Sequence, residues 1–262
     1  MELKKYFKIW YFLTTIATQI ALTSRLGAIL FLIGKLLRFA LFLVFIMVIY
    51  SQTQGIQGYS FWQVLFFFAT FNLIDTASQF LLREVYRFRY YVLNGTFDYF
   101  LTKPMSPLFR SLFGGSDILD IPMLAISIIF VYYSTFKLTT VAPIDLIIYG
   151  LLVINALIIA LAIHIIVISI GVLTTEVDNT IMLYRDLTQM GRIPVDVYRE
   201  PISWIITFVI PIGVMMTFPA KALMGLLSTQ FVLISIFLSL TIFFLCLRFW
   251  KYAIKNYSSV SS

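Results

Sequence analysis

Six runs of mainly apolar residues, separated by shorter polar stretches, set the pattern of this chain: 35–50, 61–82, 120–136, 145–171, 201–218 and 231–250. Each approaches the ~20 residues with which a helix crosses a ~30 Å hydrocarbon core, the first, third and fifth being a few residues short. The pattern predicts an all-α integral membrane protein of six transmembrane helices. Ahead of the first run, Tyr6, Phe7, Trp10, Leu13, Ile16, Ala17, Ile20 and Leu26 recur at three- and four-residue steps beside Lys4, Lys5, Lys8 and Gln19. That spacing predicts an amphipathic helix lying at the headgroup level, with a helix running straight into the first span as the alternative. The organisation read from the pattern is a lead-in over 1–34, a six-span domain over 35–250 and a tail over 251–262.

The basic residues give the spans a direction. Lys4, Lys5, Lys8 and Arg25 precede the first span; Arg83, Arg87, Arg89, Lys103 and Arg110 follow the second; Arg185, Arg192 and Arg199 follow the fourth; and Arg248, Lys251 and Lys255 end the sixth. Lys35 and Arg38 are read as snorkelling to that same face. The other side holds only Lys137 and Lys221. Positive charge concentrates on the cytoplasmic side, so both termini are expected there, in a plasma membrane. Two connections on that side, 83–116 and 172–200, are long, and this is the face on which a soluble partner is expected to dock.

Composition narrows the class. With 61% hydrophobic and 12% charged residues and a mean hydropathy of +0.96, a water-facing fold would expose large apolar patches, so the bilayer is the first partner. The net charge of +7 is scattered over four stretches that follow the spans, which argues against nucleic acid. Gly34-Lys35 is followed by Leu36 and lacks the earlier glycine of a phosphate-binding loop. His164 is the lone histidine and Cys246 the lone cysteine, so neither a metal cluster nor a disulfide is expected. The chain reads as a non-enzyme.

Three local patterns carry more. Asn72, Asp75, Thr76, Gln79 and Arg83 line one face of the second span, and a charged Asp75 facing lipid would cost a few kcal/mol. This face is a candidate pathway or interface, or polar packing against a neighbour; His164 approaches the level of Asp75 as a candidate relay or an ordinary interhelical histidine. Pro211 and Pro219, with Gly225 beyond them, fall in and after a run of only 18 residues and predict a bent or re-entrant element on the outer side. In the connection 94–108, Gly95 breaks a helix, Thr96 is read as the cap of a short one, and Pro104 and Pro107 as its stop.

That connection resembles the first cytoplasmic loop of type 2 ABC exporter permeases, in which a glycine, an acid, a leucine and a Pro-apolar-Ser triplet recur just before the third span. Gly95, Phe97, Asp98, Leu101, Pro104, Met105 and Ser106 match in order and spacing. A second block, Gly191-Arg192-Ile193-Pro194 with Tyr198, then Thr207 to Pro211, Phe218-Pro219-Ala220 and Gly225, is similar to the region around the fifth span of the stand-alone permeases. The tail Tyr257-Ser258-Ser259 is similar too.

The resemblance implies a permease that pairs with a second permease, identical or different, and with two copies of a separate cytoplasmic ATPase. ATP and Mg2+ then belong to that partner, and this chain binds no cofactor. It implies a coupling helix within 87–101, with Arg87, Gly95, Phe97, Asp98, Leu101 and Pro104 on or behind the ATPase-facing surface, and short outward-side helices around Pro211, Pro219 and Gly225. An ion- or proton-coupled carrier and a non-transporting membrane scaffold are the alternatives; neither the cargo nor the partner permease is legible.

Overall fold

Local chemistry sets where the helices begin. Ser60 caps the helix after it in a reciprocal box: its Oγ accepts from the Gln63 amide at 3.3 Å while the Ser60 amide donates to Gln63 Oε1 at 2.8 Å. Pro143 opens the longest helix, where its missing amide costs nothing, and Asp145 accepts from the Ala142 amide at 3.0 Å. The computed structural model describes residues 2–53, 55, 57–138 and 141–258; Ser259 of the tail lies outside them.

Every described element is helical. In chain order these are α1 (Glu2–Thr23), α2 (Arg25–Thr53), α3 (Phe61–Leu82), α4 (Phe88–Leu93), α5 (Thr96–Thr102), α6 (Pro107–Leu112), α7 (Ile121–Thr135), α8 (Pro143–Thr174) and α9 (Val177–Gln189), followed by α10 (Ile202–Val209), α11 (Gly213–Leu223) and α12 (Thr229–Lys255). Five of them are long and apolar enough to cross a membrane: α2, α3 with its continuation to Leu93, α7 with the turn before it, α8 and α12. A sixth candidate is the pair α10 and α11, whose arms meet at 80°.

The first span is longer than the sequence pattern predicts. At 29 residues α2 rises about 43 Å and begins at Arg25 rather than at residue 35. The difference lies in Lys35 and Arg38, which read as a snorkelling flank but turn toward protein: Lys35 pairs with the fully buried Asp120 at the start of α7, and Arg38 donates to Gln189 Oε1 at 2.7 Å. The chain breaks at Ser24, so α1 is a separate helix. It lies against the connection before α7, with the Ser106 amide donating to the Tyr6 hydroxyl at 3.1 Å and Trp10 donating to Ser116 Oγ at 3.1 Å, while Phe7, Tyr11 and Phe12 stay exposed.

The fifth crossing is not the run 201–218. Residues 177–198, expected as a cytoplasmic connection, climb the length of α3 in a ladder of contacts. Asp178 pairs with Arg89 at 2.8 Å; Tyr184 meets His164, midway along α8, ring to ring at 5.0 Å; Arg192 lies 5.6 Å from the Phe71 ring; and Asp196 accepts from the Tyr59 hydroxyl at 2.8 Å. Arg89 and Tyr59 lie at opposite ends of the α3–α4 rod, so this stretch traverses the fold. Asp196 also pairs with Lys221 at 2.7 Å, at the end of α11. The pair α10 and α11 therefore starts and finishes near Asp196, on the face opposite the chain ends, and enters and leaves the layer on that one side.

Its turn is at Pro211, which cannot donate to a continuing helix, and both arms carry π-helical turns, over Ile205–Val209 and Gly213–Thr217. Gly191 lets the ascending stretch cross α11 closely: a Cβ there would lie 2.8 Å from Met216 Cγ. The reason the sequence pattern mistakes the two is hydropathy. The re-entrant arms are apolar because they are embedded, whereas α9 is amphipathic and carries Arg185, Asp186 and Gln189.

Single cysteines at Arg199 and Lys221, in a Cys246→Ala background, are expected to react with a membrane-impermeant maleimide from the same side as a cysteine at Lys137, and Lys103 and Lys251 replacements from the other. Labelling of Arg199→Cys together with Lys251→Cys would return residues 172–200 to a loop on the terminal face.

Candidate functional site

The polar strip of α3 opens onto a cavity of about 60 Å3 bounded by α2, α3, α9 and the turn after it. Asn72, Asp75, Thr76 and Gln79 supply one wall, as their spacing requires. Facing them are Lys35 and Arg38 of α2, Arg185 of α9 and Arg192 beyond it. Phe39, Phe42 and Phe68 close the end farther from the chain termini.

Within the cavity the charges are unevenly matched. Lys35 has Asp120, and Asp75 Oδ2 accepts from Gln79 Nε2 at 2.8 Å. Arg38 reaches only the neutral Gln189. Arg192 stacks at 4.9 Å on the Phe42 ring, with its buried Nε bonded to nothing among the described residues, and Arg185 lies 5.8 Å from the Tyr86 ring. Among the described residues neither these three guanidiniums nor Asp75 forms a salt bridge. Charges at this depth cannot face lipid without a cost of several kcal/mol, so the cavity is a place for water, protein or ligand.

His164 is not part of it. Its Nδ1 lies 2.7 Å from the Ala160 carbonyl one turn back, and its ring rests on Tyr184. Pro211 sits at the tip of the re-entrant pair, where residues 209–212 border an apolar cavity of about 440 Å3 with Ile163, Leu187 and Cys246. Pro219 is buried in the second half of α11, just past its π-helical turn, and Gly225, at φ +67, turns the chain out of it.

The terminal face carries a second assembly. Gly95 takes φ +66, a left-handed conformation that costs glycine little, and so folds α5 back on α4. Here the turn chemistry departs from expectation: Thr96 makes no capping bond, and Pro107 starts α6 behind a Ser106 cap instead of stopping a helix. Phe97 is fully buried among Phe88, Phe100, Trp250 and Tyr257, with ring centroids 5.2–6.3 Å away. Asp98 accepts from the Tyr257 hydroxyl at 2.9 Å, tying α5 to the end of α12. Leu101 packs on the same core, Pro104 accepts from Lys5 at 2.8 Å, and Arg87 holds the buried Glu84 at 3.2 Å. The outward surface is made by Tyr90, Leu93 and Tyr99, all exposed.

Arg185, Arg192, Lys35 and Arg38 reach the polar cavity from segments that the linear pattern did not connect with the face of Asp75. A signal was present: Arg185, Gln189 and Arg192 recur at four- and three-residue steps, with Ile181, Tyr184 and Thr188 as the buried face of the same segment.

Compared with known proteins, residues 36–261 match a family model described as ABC-2 family transporter protein. No curated protein matches the chain.

The two faces of the α4–α5 ledge are expected to respond differently to truncation. Phe97→Ala, which empties a buried aromatic site, should cost about 3–5 kcal/mol and lower the melting temperature of the purified chain. Tyr99→Ala, on the exposed side, should leave it unchanged. Equal melting temperatures for the two variants would contradict the buried setting of Phe97.

Proposed function

We propose that this chain, which belongs to the ABC-2 transporter family, forms half of the membrane pathway of an ATP-driven exporter and works as a pair of permeases with two copies of a cytoplasmic ATPase. Family membership makes it a multi-pass membrane permease of an ABC transporter, and in this proposal ATP hydrolysis takes place in a partner protein. ATP and Mg2+ are then the partner's ligands.

The observation that supports the pathway reading is the cavity between α2, α3 and α9, which is lined by charged and polar side chains where apolar helix packing would place none. Its walls come from three crossing segments, so a change in their spacing opens or closes it. Pairing through this face would bring two such cavities together at the centre of a dimer.

The α4–α5 ledge is the proposed coupling element. Phe97, Asp98 and Leu101 act from behind, by holding α5 to α12, and Tyr90, Leu93 and Tyr99 offer the contact surface. A push on that surface passes through Phe97 and Tyr257 into α12 and through Glu84, which accepts from Arg110 at 2.5 Å, into α6 and α3. The plasma-membrane orientation keeps both chain ends cytoplasmic. With Arg185 and Arg192 moved into the layer and Arg199 to the far side, the terminal face still holds most of the basic residues.

Purification of the tagged chain from its own membranes in mild detergent is expected to bring down a soluble protein with a phosphate-binding loop in near-stoichiometric amount. Tyr90→Glu with Tyr99→Glu should reduce that recovery at least about tenfold, as expected when charge enters an apolar contact. An ATPase recovered equally with both variants would move the docking surface elsewhere, and a chain recovered alone after cross-linking would favour a carrier or scaffold.

A further inference from the structure

We propose that the cavity between α2, α3 and α9 is a binding site for an anionic group of phosphate or carboxylate type carried by the transported molecule, an inference that rests on the permease reading of the same site. The first argument is charge. Of the four cations lining the cavity, only Lys35 has a carboxylate partner, Asp120; Arg38, Arg185 and Arg192 share the space with Asp75 alone, and no salt bridge among the described residues joins Asp75 to any of them. The excess is positive and lies in a layer where an uncompensated charge is costly.

The second argument is the kind of cation. Guanidinium groups present planar forks of donors that match the paired oxygens of phosphates and carboxylates. Arg192 is held by its stacking on Phe42 and Phe71, so its fork is fixed before anything binds, and its buried Nε has no acceptor among the described residues. Asn72 and Gln79 stand opposite; each side-chain amide already donates once, to the Phe68 carbonyl and to Asp75, and keeps a second N–H.

Size sets what enters. About 60 Å3 accommodates a small charged group with little else, so the remainder of the molecule must extend out of the cavity. A second copy of the chain does not answer the excess: symmetric pairing through this face contributes the same lining twice and so doubles its net positive charge. An anion between the two copies relieves it.

The anion belongs either to the headgroup of a membrane amphiphile or to a water-soluble molecule, and two probes separate these. The full chain in nanodiscs of phosphatidylcholine is given a trace of spin-labelled phosphatidylglycerol in one arm and radiolabelled inorganic phosphate in the other. The intact chain should hold at least one probe, and Arg185→Gln with Arg192→Gln should weaken that binding roughly tenfold or more, since two charge-assisted contacts are removed. Asp75→Asn, which removes the carboxylate that lines the cavity beside the arginines, should tighten it. Lys251→Gln with Lys255→Gln, on the exposed end of α12, should leave it unchanged.

Retention of the labelled lipid alone identifies a headgroup, and retention of phosphate a soluble anion. Binding of neither probe overturns the site; so does binding that survives the loss of both arginines or falls equally with the lysine pair. Because no readout involves the ATPase, a chain that holds the anion but recruits no ATPase would keep the site and lose the exporter reading. The converse result would keep the exporter and lose the site.

Discussion

A charge placed inside a hydrocarbon layer must find a partner or a polar space, and much of this architecture answers that constraint. Lys35 turns from α2 to the buried Asp120, Arg83 reaches Asp117 at 3.4 Å, and Glu84 is enclosed by Arg87, Arg110 and Tyr91. On the far face Asp196 is held between Tyr59 and Lys221. Burial, then the hydrogen bond and charge of Asp196, hold the Tyr59 hydroxyl above the ordinary tyrosine pKa, so it remains a donor. Apart from Arg87 with Glu84, which share one turn, the ion pairs also join elements distant in the chain, so the device that makes the charge tolerable positions the helices too.

Where that accounting stops is the cavity beside α3. Lys35 and Asp120 close one pair there, but the guanidiniums of Arg38, Arg185 and Arg192 are left to aromatic rings and an amide. The segments that carry them are the ones whose course is least regular: α9 is short and amphipathic, and the chain beyond it climbs through two tight turns. Regular apolar helices such as α8 and α12 pack tightly instead, with small residues and the Asn155–Ser239 hydrogen bond between them. Rigid and polar parts of the fold are thereby separated.

The ledge on the terminal face shows the same division on a smaller scale. Its buried side is a cluster of aromatic rings around Phe97, shared with Trp250 and Tyr257 of the last helix and the tail. Its outer side exposes Tyr90, Leu93 and Tyr99. The residues most recognisable in the linear pattern, Gly95, Phe97 and Asp98, are those that build the support, because a left-handed turn, a filled core and a fixed hydrogen bond each admit few residue types. The exposed side is chemically more permissive and left a weaker trace.

Hydropathy alone determined that the chain is helical and lies in a membrane, since runs of about 20 apolar residues have no other stable setting. It also located the polar stripe on α3, because a period near 3.6 puts Asn72, Asp75 and Gln79 on one face whatever lies opposite. What lies opposite was settled only in three dimensions. Residues 177–198 are too polar to register as a span, yet they cross beside α3 because their charged side is sheltered by α2 and the cavity; residues 202–223 are apolar enough to register as one, yet they turn back at Pro211. Hydropathy measures the depth at which a residue is comfortable, not the direction in which the chain is travelling, and only long-range contacts such as Asp196 with Tyr59 and Lys221 carry that direction.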